Sequence, residues 1–150
     1  MKSKKLWFGN PTLEELERMI PNTLSQSLNI KVTEIGDDYL KGTMTVDART
    51  KQPFGLLHGG ASVSLAEELG SLASFLTIDS NVFTVLGLEI NANHIKAVRG
   101  GSVTGICKPI HVKGVNHIWE IKIYNDAGDL TCISRFTCVI FSKAKFLSML

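Results

Sequence analysis

Apolar positions change period three times along this chain. Near the start, Leu13, Leu16, Met19 and Ile20 recur at helical spacing. Thr12-Leu-Glu-Glu15 has the spacing of a capping box, in which a threonine and a glutamate three residues on satisfy each other's backbone N–H groups. A short helix is therefore predicted to open at Thr12 and to stop at Pro21. From Ile30 the period falls to two. Ile30–Ile35 reads as a strand and Gly36-Asp37-Asp38 as a turn. Leu40, Gly42, Met44 and Val46 then alternate with Lys41, Thr43 and Thr45, which is a half-buried second strand and completes a hairpin. Asp47 to His58 contains Pro53 and Gly55 and reads as a loop. Gly59 to Thr77 has no proline and no β-branched run, and is the one long helix. Strands are predicted near Val82–Ile95, Ser102–Ile110, Asn116–Tyr124 and Leu130–Phe141, the last two joined by an Asn125-Asp126-Ala127-Gly128 turn. A hairpin, a long helix and four strands make an α+β order. A helix this rich in Leu and Ala needs burial on most sides, and a curved antiparallel sheet wrapped around it supplies that.

One hundred degrees per residue puts Leu65, Leu69, Leu72 and Leu76 on one side of the long helix, facing the sheet. The other side carries Gly60, Val63, Ser64, Glu67, Gly70, Ser71 and Ser74. Small residues there permit close approach of another chain or a ligand, so Glu67 is expected in a cleft. An ordinary solvated glutamate is the alternative, and Glu68 points elsewhere. His58-Gly59-Gly60 opens the helix. The first N–H groups of a helix lack internal partners and carry partial positive charge, and glycine leaves them open. Such a terminus can hold a developing oxyanion. Glu67 lies about 11 Å further along the axis, which is far for one carbonyl. A two-fold dimer, with one chain's helix start facing the other's glutamate, closes that gap.

Composition narrows the classes. The chain has 150 residues, 44% hydrophobic and 20% charged, with a net charge of +2. This suits a single domain over residues 1–150, with 1–11 and 142–150 as candidate flexible ends. The charge gives no reason to expect nucleic acid or a membrane as partner. Lys2, Lys4 and Lys5 form a small basic cluster with no apolar core behind it, so no signal peptide is expected and the location is expected to be cytoplasmic. Cys107, Cys132 and Cys138 make no CxxC and read as reduced thiols. The four histidines, His58, His94, His111 and His117, lack HxxxH spacing, so no metal is expected. No GxSxG is present for a serine triad.

Lys51-Gln-Pro-Phe-Gly-Leu-Leu-His-Gly-Gly-Ala-Ser62, continued by Leu65-Ala-Glu67 and Gly70-Ser71, resembles the hotdog-fold acyl-CoA thioesterases of the phenylacetate and 4-hydroxybenzoyl-CoA groups. Gly87-Leu-Glu-Ile-Asn-Ala-Asn-His94 adds to the match, which runs from about Ile30 to Phe141. The branch it most resembles serves menaquinone and siderophore synthesis. The resemblance implies a hotdog fold, hydrolysis of an acyl- or aroyl-CoA thioester, coenzyme A as part of the substrate, and no cofactor. It implies a homodimer as catalytic unit, within a homotetramer.

Residue by residue, it makes Glu67 the nucleophile or general base, between which the sequence does not choose. Gly59 matches the residue whose N–H polarises the thioester carbonyl. Gln52 and His58 match groups that orient substrate and the glycine loop. Ser71 matches a residue that positions the carboxylate or its water. Gly87, the segment His94, Ile95, Lys96 and Ala97, and the loop His111, Val112, Lys113, Gly114, Val115 and Asn116 match coenzyme A contacts. The loop departs from its relatives in offering a flexible lysine point charge where they often place arginine's fork. Phe54, Leu56, Val63 and Phe75 are candidates to line the acyl site. Beyond Phe141, Lys143 and Lys145 with Phe146, Leu147 and Leu150 read as an amphipathic or disordered tail. A hydroxyacyl-thioester dehydratase and a non-enzymatic acyl-CoA sensor remain as alternative functions.

Overall fold

The structure is a computed structural model that describes residues 6–148. The basic cluster at Lys2, Lys4 and Lys5, and Leu150 of the tail, lie outside the described residues. Four helices, α1 (Leu13–Glu17), α2 (Leu24–Ser27), α3 (Gly59–Leu76) and α4 (Lys143–Leu147), accompany six strands. The strands are β1 (Lys31–Ile35), β2 (Leu40–Thr45), β3 (Phe83–His94), β4 (Ser102–Lys113), β5 (Asn116–Asn125) and β6 (Leu130–Ser142). They form one antiparallel sheet in the order β1-β2-β4-β5-β6-β3. The sheet curls around α3, which packs on β2 to β6. This is the hotdog arrangement.

The leucine stripe sets the packing. Leu65, Leu69, Leu72 and Leu76 are all buried, and full burial of one such side chain stabilises by about 1.5–3 kcal/mol. Gly42 and Gly105 sit opposite each other in the β2–β4 register. A Cβ on Gly42 would lie 2.8 Å from Leu69 Cδ2, and one on Gly105 would lie 2.7 Å from Leu69 Cδ1. The two glycines thus open the notch that Leu69 fills. Trp119, Ile121 and Ile123 on β5 point into the core, while Ile118, Glu120, Lys122 and Tyr124 on its other face are half-buried, as the alternation requires.

The face opposite the leucines is more divided than its small residues suggested. Gly70 and Ser74 are buried against the sheet. A Cβ on Gly70 would meet Phe136 Cδ1 at 2.4 Å. Ser74 Oγ accepts from Trp119 Nε1 at 2.6 Å and lies 2.8 Å from Cys138 Sγ. Only the N-terminal half of this face stays open, because the sheet closes over the rest.

Three expectations about elements need correction. The Thr12–Glu15 capping box forms, but α1 stops at Glu17 and buries only Leu16, leaving Leu13 and Met19 exposed. The segment His111–Asn116 is not a loop. β4 runs through Lys113 and β5 begins at Asn116, with the turn made by Gly114 (φ 72°) and Val115. α2 was not foreseen; Thr23 caps it, accepting from Gln26 N. Trp7, from the N-terminal segment, stacks on Trp119 with centroids 6.4 Å apart and donates Nε1–H to Gly36 O. Of the tail, Lys143–Leu147 forms a helical turn capped by Ser142.

Candidate active site

The start of α3 is held from two sides. Thr50, buried, donates Oγ1–H to Thr45 O at 2.9 Å, and its carbonyl accepts from His58 N at 2.8 Å. Leu57 N donates to Val98 O at 2.7 Å. Between them the chain makes a tight turn, with Gln52 N bonded to Leu56 O, Gly55 N bonded to Gln52 O, and Gly55 at φ 79°. Gln52 Oε1 accepts from Phe54 N. These bonds fix where the helix begins.

His58 is the N-cap. Its Nδ1 accepts from Gly60 N at 2.8 Å, and its carbonyl accepts from Ala61 N and Ser62 N. That occupies the neighbouring amides. Gly59 N–H has no acceptor among the described residues. It borders a cavity of about 320 Å³ shared with Gln52, Ser62, His94, Lys96 and Thr131. The His94 imidazole lies directly over Gly59, where a Cβ would come within 2.8 Å of Nε2. Gly59 is therefore required by this close approach as well as by access to its amide. Ile95 and Ala97 line the same cavity. Lys96 does too, but its Nζ pairs with Asp129 Oδ2 at 2.6 Å.

Glu67, two turns along α3, lies outside that cavity. It is exposed in the single chain, not enclosed in a cleft. Its carboxylate rests over β3, with Oε1 3.3 Å from where a Cβ on Gly87 would stand. Gly87 thus leaves room for the carboxylate at the point where a bulge interrupts the β3–β6 register. Ser71 follows one turn later, half-buried. Glu68 is half-buried near Ser25 of α2, and that burial raises its pKa above the usual carboxylate value. Of the candidates for lining an acyl site, Leu56 borders the Gly59 cavity and Phe54 is 85% exposed. Val63 is half-buried, and Phe75 borders a different cavity, beside α1.

The predicted residues thus form three groups. Gln52, His58, Gly59 and His94–Ala97 gather at the start of α3. Glu67, Ser71 and Gly87 gather midway along it. His111–Asn116 lies at neither: the tip of the β4–β5 hairpin sits near the far end of α3, where Gly114 and Val115 share a cavity with Thr77 and Asp79. Ser62 and Thr131, in the first group, were missed by sequence reasoning. No local pattern marks them, since contacts across the sheet assemble that wall. Among the described residues no His, Cys, Asp and Glu cluster could hold a metal ion, and no helix is long and apolar enough to cross a membrane.

Known proteins share this arrangement. Residues 54–132 match the thioesterase superfamily. The chain is 49% identical over 135 residues to the 1,4-dihydroxy-2-naphthoyl-CoA hydrolase of Escherichia coli K12, covering 90% of this chain and 98% of that one. It is 47% identical, with the same coverage, to the proofreading thioesterase EntH of Cronobacter turicensis. A thioesterase structure from Haemophilus influenzae superposes with a TM-score of 0.88 at 43% identity, covering 91% of this chain and 95% of that one. A variant thioesterase from Pseudomonas aeruginosa superposes at 0.90, also at 43% identity, covering 91% and 99%. An exposed helix carboxylate and a free glycine amide, on this sheet and beside these relatives, give one conclusion: the chain is an enzyme of the thioesterase superfamily, a thioester hydrolase with the hotdog fold.

Proposed function

We propose that the chain hydrolyses an acyl- or aroyl-CoA thioester to the free acid and coenzyme A. The observation that carries this reading is the Gly59 amide, which has no protein acceptor and opens onto a cavity at a helix start. It is suited to take the negative charge that grows on a thioester oxygen. Glu67 supplies the other half. As a general base its carboxylate takes a proton from water, the water oxygen bonds to the carbonyl carbon, and the C–S bond breaks to release the thiol. As a nucleophile its oxygen bonds to the carbonyl carbon, the C–S bond breaks to expel coenzyme A thiolate, and water then opens the resulting mixed anhydride to the free acid and the restored carboxylate. Gln52 and His58 hold the glycine turn, and Ser71 positions the carboxylate or its water. Gly87, His94–Ala97 and the β4–β5 hairpin tip meet coenzyme A. No step needs a metal or a separate cofactor, and an acyl-CoA substrate suits a cytoplasmic enzyme.

The wide axial gap between Gly59 and Glu67 favours a site shared by two chains. β3 is one edge of the sheet, with one side of its backbone paired to β6 and the other side unpaired among the described residues. Antiparallel pairing of two such edges would bury both. A homodimer, doubled to a tetramer, is the assembly proposed. The naphthoyl-CoA hydrolase relative makes a fused aromatic acyl group, as in quinone synthesis, the first candidate. The test is thiol release from aromatic, hydroxynaphthoyl and aliphatic CoA thioesters. Wild type should prefer an aromatic acyl group, and Glu67→Ala should lose roughly 10²-fold or more in kcat. Undiminished turnover by that variant would overturn the assignment.

A further inference from the structure

Near its start α3 carries a buried hydroxyl that the fold leaves unused. Ser62, the fourth residue of the helix, is 4% exposed, and its N–H donates to His58 O at 3.2 Å. Its side chain has no hydrogen-bond partner among the described residues. The other buried hydroxyls differ. Thr50, Thr131 and Ser134 donate to the carbonyls of Thr45, Ile123 and Asn91, Ser74 accepts from Trp119, and Ser25 bonds to Glu68. A buried polar group without a partner costs stability, so one that persists calls for an explanation. Every fully enclosed side-chain oxygen or nitrogen among the described residues is bonded. The Ser62 oxygen must therefore reach open space, and the space it lines is the cavity of about 320 Å³ in front of the Gly59 amide. Little on that wall competes for it. Gln52 Oε1 is taken by Phe54 N, Lys96 Nζ by Asp129, and Thr131 Oγ1 by Ile123 O. His94 is exposed and can bond to solvent.

We propose that Ser62 is a second catalytic hydrogen-bond donor, its hydroxyl joining the Gly59 N–H on the thioester carbonyl oxygen. Residues three apart are neighbours on a helix, and a helical Cα–Cβ bond tilts toward the N-terminus. The Ser62 side chain thus leans back toward the Gly59 amide. A carbonyl oxygen has two lone pairs, and a single donor leaves the second without a partner. As the carbonyl carbon is attacked, charge grows on that oxygen and both hydrogen bonds strengthen. The oxyanion forms and collapses with the Ser62 O–H bond intact, so no proton is transferred from the hydroxyl. The role rests on the acyl-CoA hydrolase reading of the site and adds a donor to it. It also explains why the hydroxyl is idle. A partner inside the protein would have to be given up each time substrate bound, whereas a donor held ready costs fold stability and spares that reorganisation.

The experiment compares wild type with Ser62→Ala on a CoA thioester and on the N-acetylcysteamine thioester of the same acid. In the variant kcat should fall roughly 10²-fold on both substrates, with KM little changed. Its melting temperature should stay the same or rise, because an unpartnered hydroxyl has been removed. A non-hydrolysable ketone analogue of the thioester supplies a spectroscopic reading. Its carbonyl stretch in the infrared should lie lower when bound to wild type than when bound to Ser62→Ala, since each donor weakens the C=O bond. An unchanged kcat overturns the proposal. So does the same carbonyl stretch in both proteins, or a fall in melting temperature, which would mark a structural bond at Ser62. If wild type cleaves no CoA thioester, the acyl-CoA reading fails instead, and the truncated thioester and the carbonyl stretch then decide the role of Ser62 alone.

Discussion

Glu67 and Glu68 are neighbours on α3 with opposite surroundings. Glu67 is exposed over Gly87, whereas Glu68 is half-buried near Ser25. Burial raises the Glu68 pKa above its ordinary value of 4.5, and the Glu67 charge adds to that. A carboxyl whose folded pKa is raised favours the folded state most below its unfolded pKa, and that contribution is lost as pH rises through the folded value. Glu68→Gln should therefore raise the melting temperature at about pH 7 and leave it nearly unchanged below about pH 4. Thermal unfolding followed across that range checks it, and an equal gain at both ends would sink it. Glu67 stood out in the sequence because it was the one carboxylate among small residues. The His94 ring over Gly59 did not, because β3 and the start of α3 meet only once the sheet has curled.

At the scale of elements, α3 is fastened at both ends by polar contacts, an exposed one at its start and a buried one near its end. His58 caps its start, and near its end Ser74 takes the Trp119 indole N–H. Both Ser74 and Trp119 are fully buried. Ser74→Ala leaves that N–H without a partner, at a cost of about 1–3 kcal/mol. The melting temperature should fall by roughly 2–4 °C for each kcal/mol lost, and Ser74→Cys, which can still accept weakly, should fall less. Periodicity gave these elements away wherever burial was one-sided: the stripe on α3 and the alternation on β2 and β5 read directly. It failed at α2, too short to show a period, and at the end of β4. There Ile110, His111 and Lys113 are exposed, and their polarity resembles a loop although the backbone is still paired to β5. Two residues, Gly114 and Val115, make the whole turn, and only glycine's positive φ marks the place.

For the molecule as a whole, the unpaired edge of β3 and the gap between Gly59 and Glu67 make a joint prediction. Glu67→Ala protein and Gly59→Val protein should each be inactive. If two chains share each site, mixing them after reversible dissociation restores activity. Random pairing makes about half the dimers mixed, each with one intact site of two, so activity should return to roughly one quarter of wild type. Mixtures that stay inactive would place both groups within one chain. The tripartite spread of the expected residues was not legible in the sequence, since it depends on which end of β3 and which hairpin tip lie beside each end of α3. The curl of the sheet also shapes how such experiments read out. Cys107, Cys132 and Cys138 all lie beneath it, and burial raises their pKa values, so in the native enzyme they are poor nucleophiles. An aromatic disulfide dye that colours on meeting a thiol will therefore report the coenzyme A set free and not the catalyst. The same dye, added while the enzyme is heated, turns the three hidden sulfurs into a built-in gauge of unfolding.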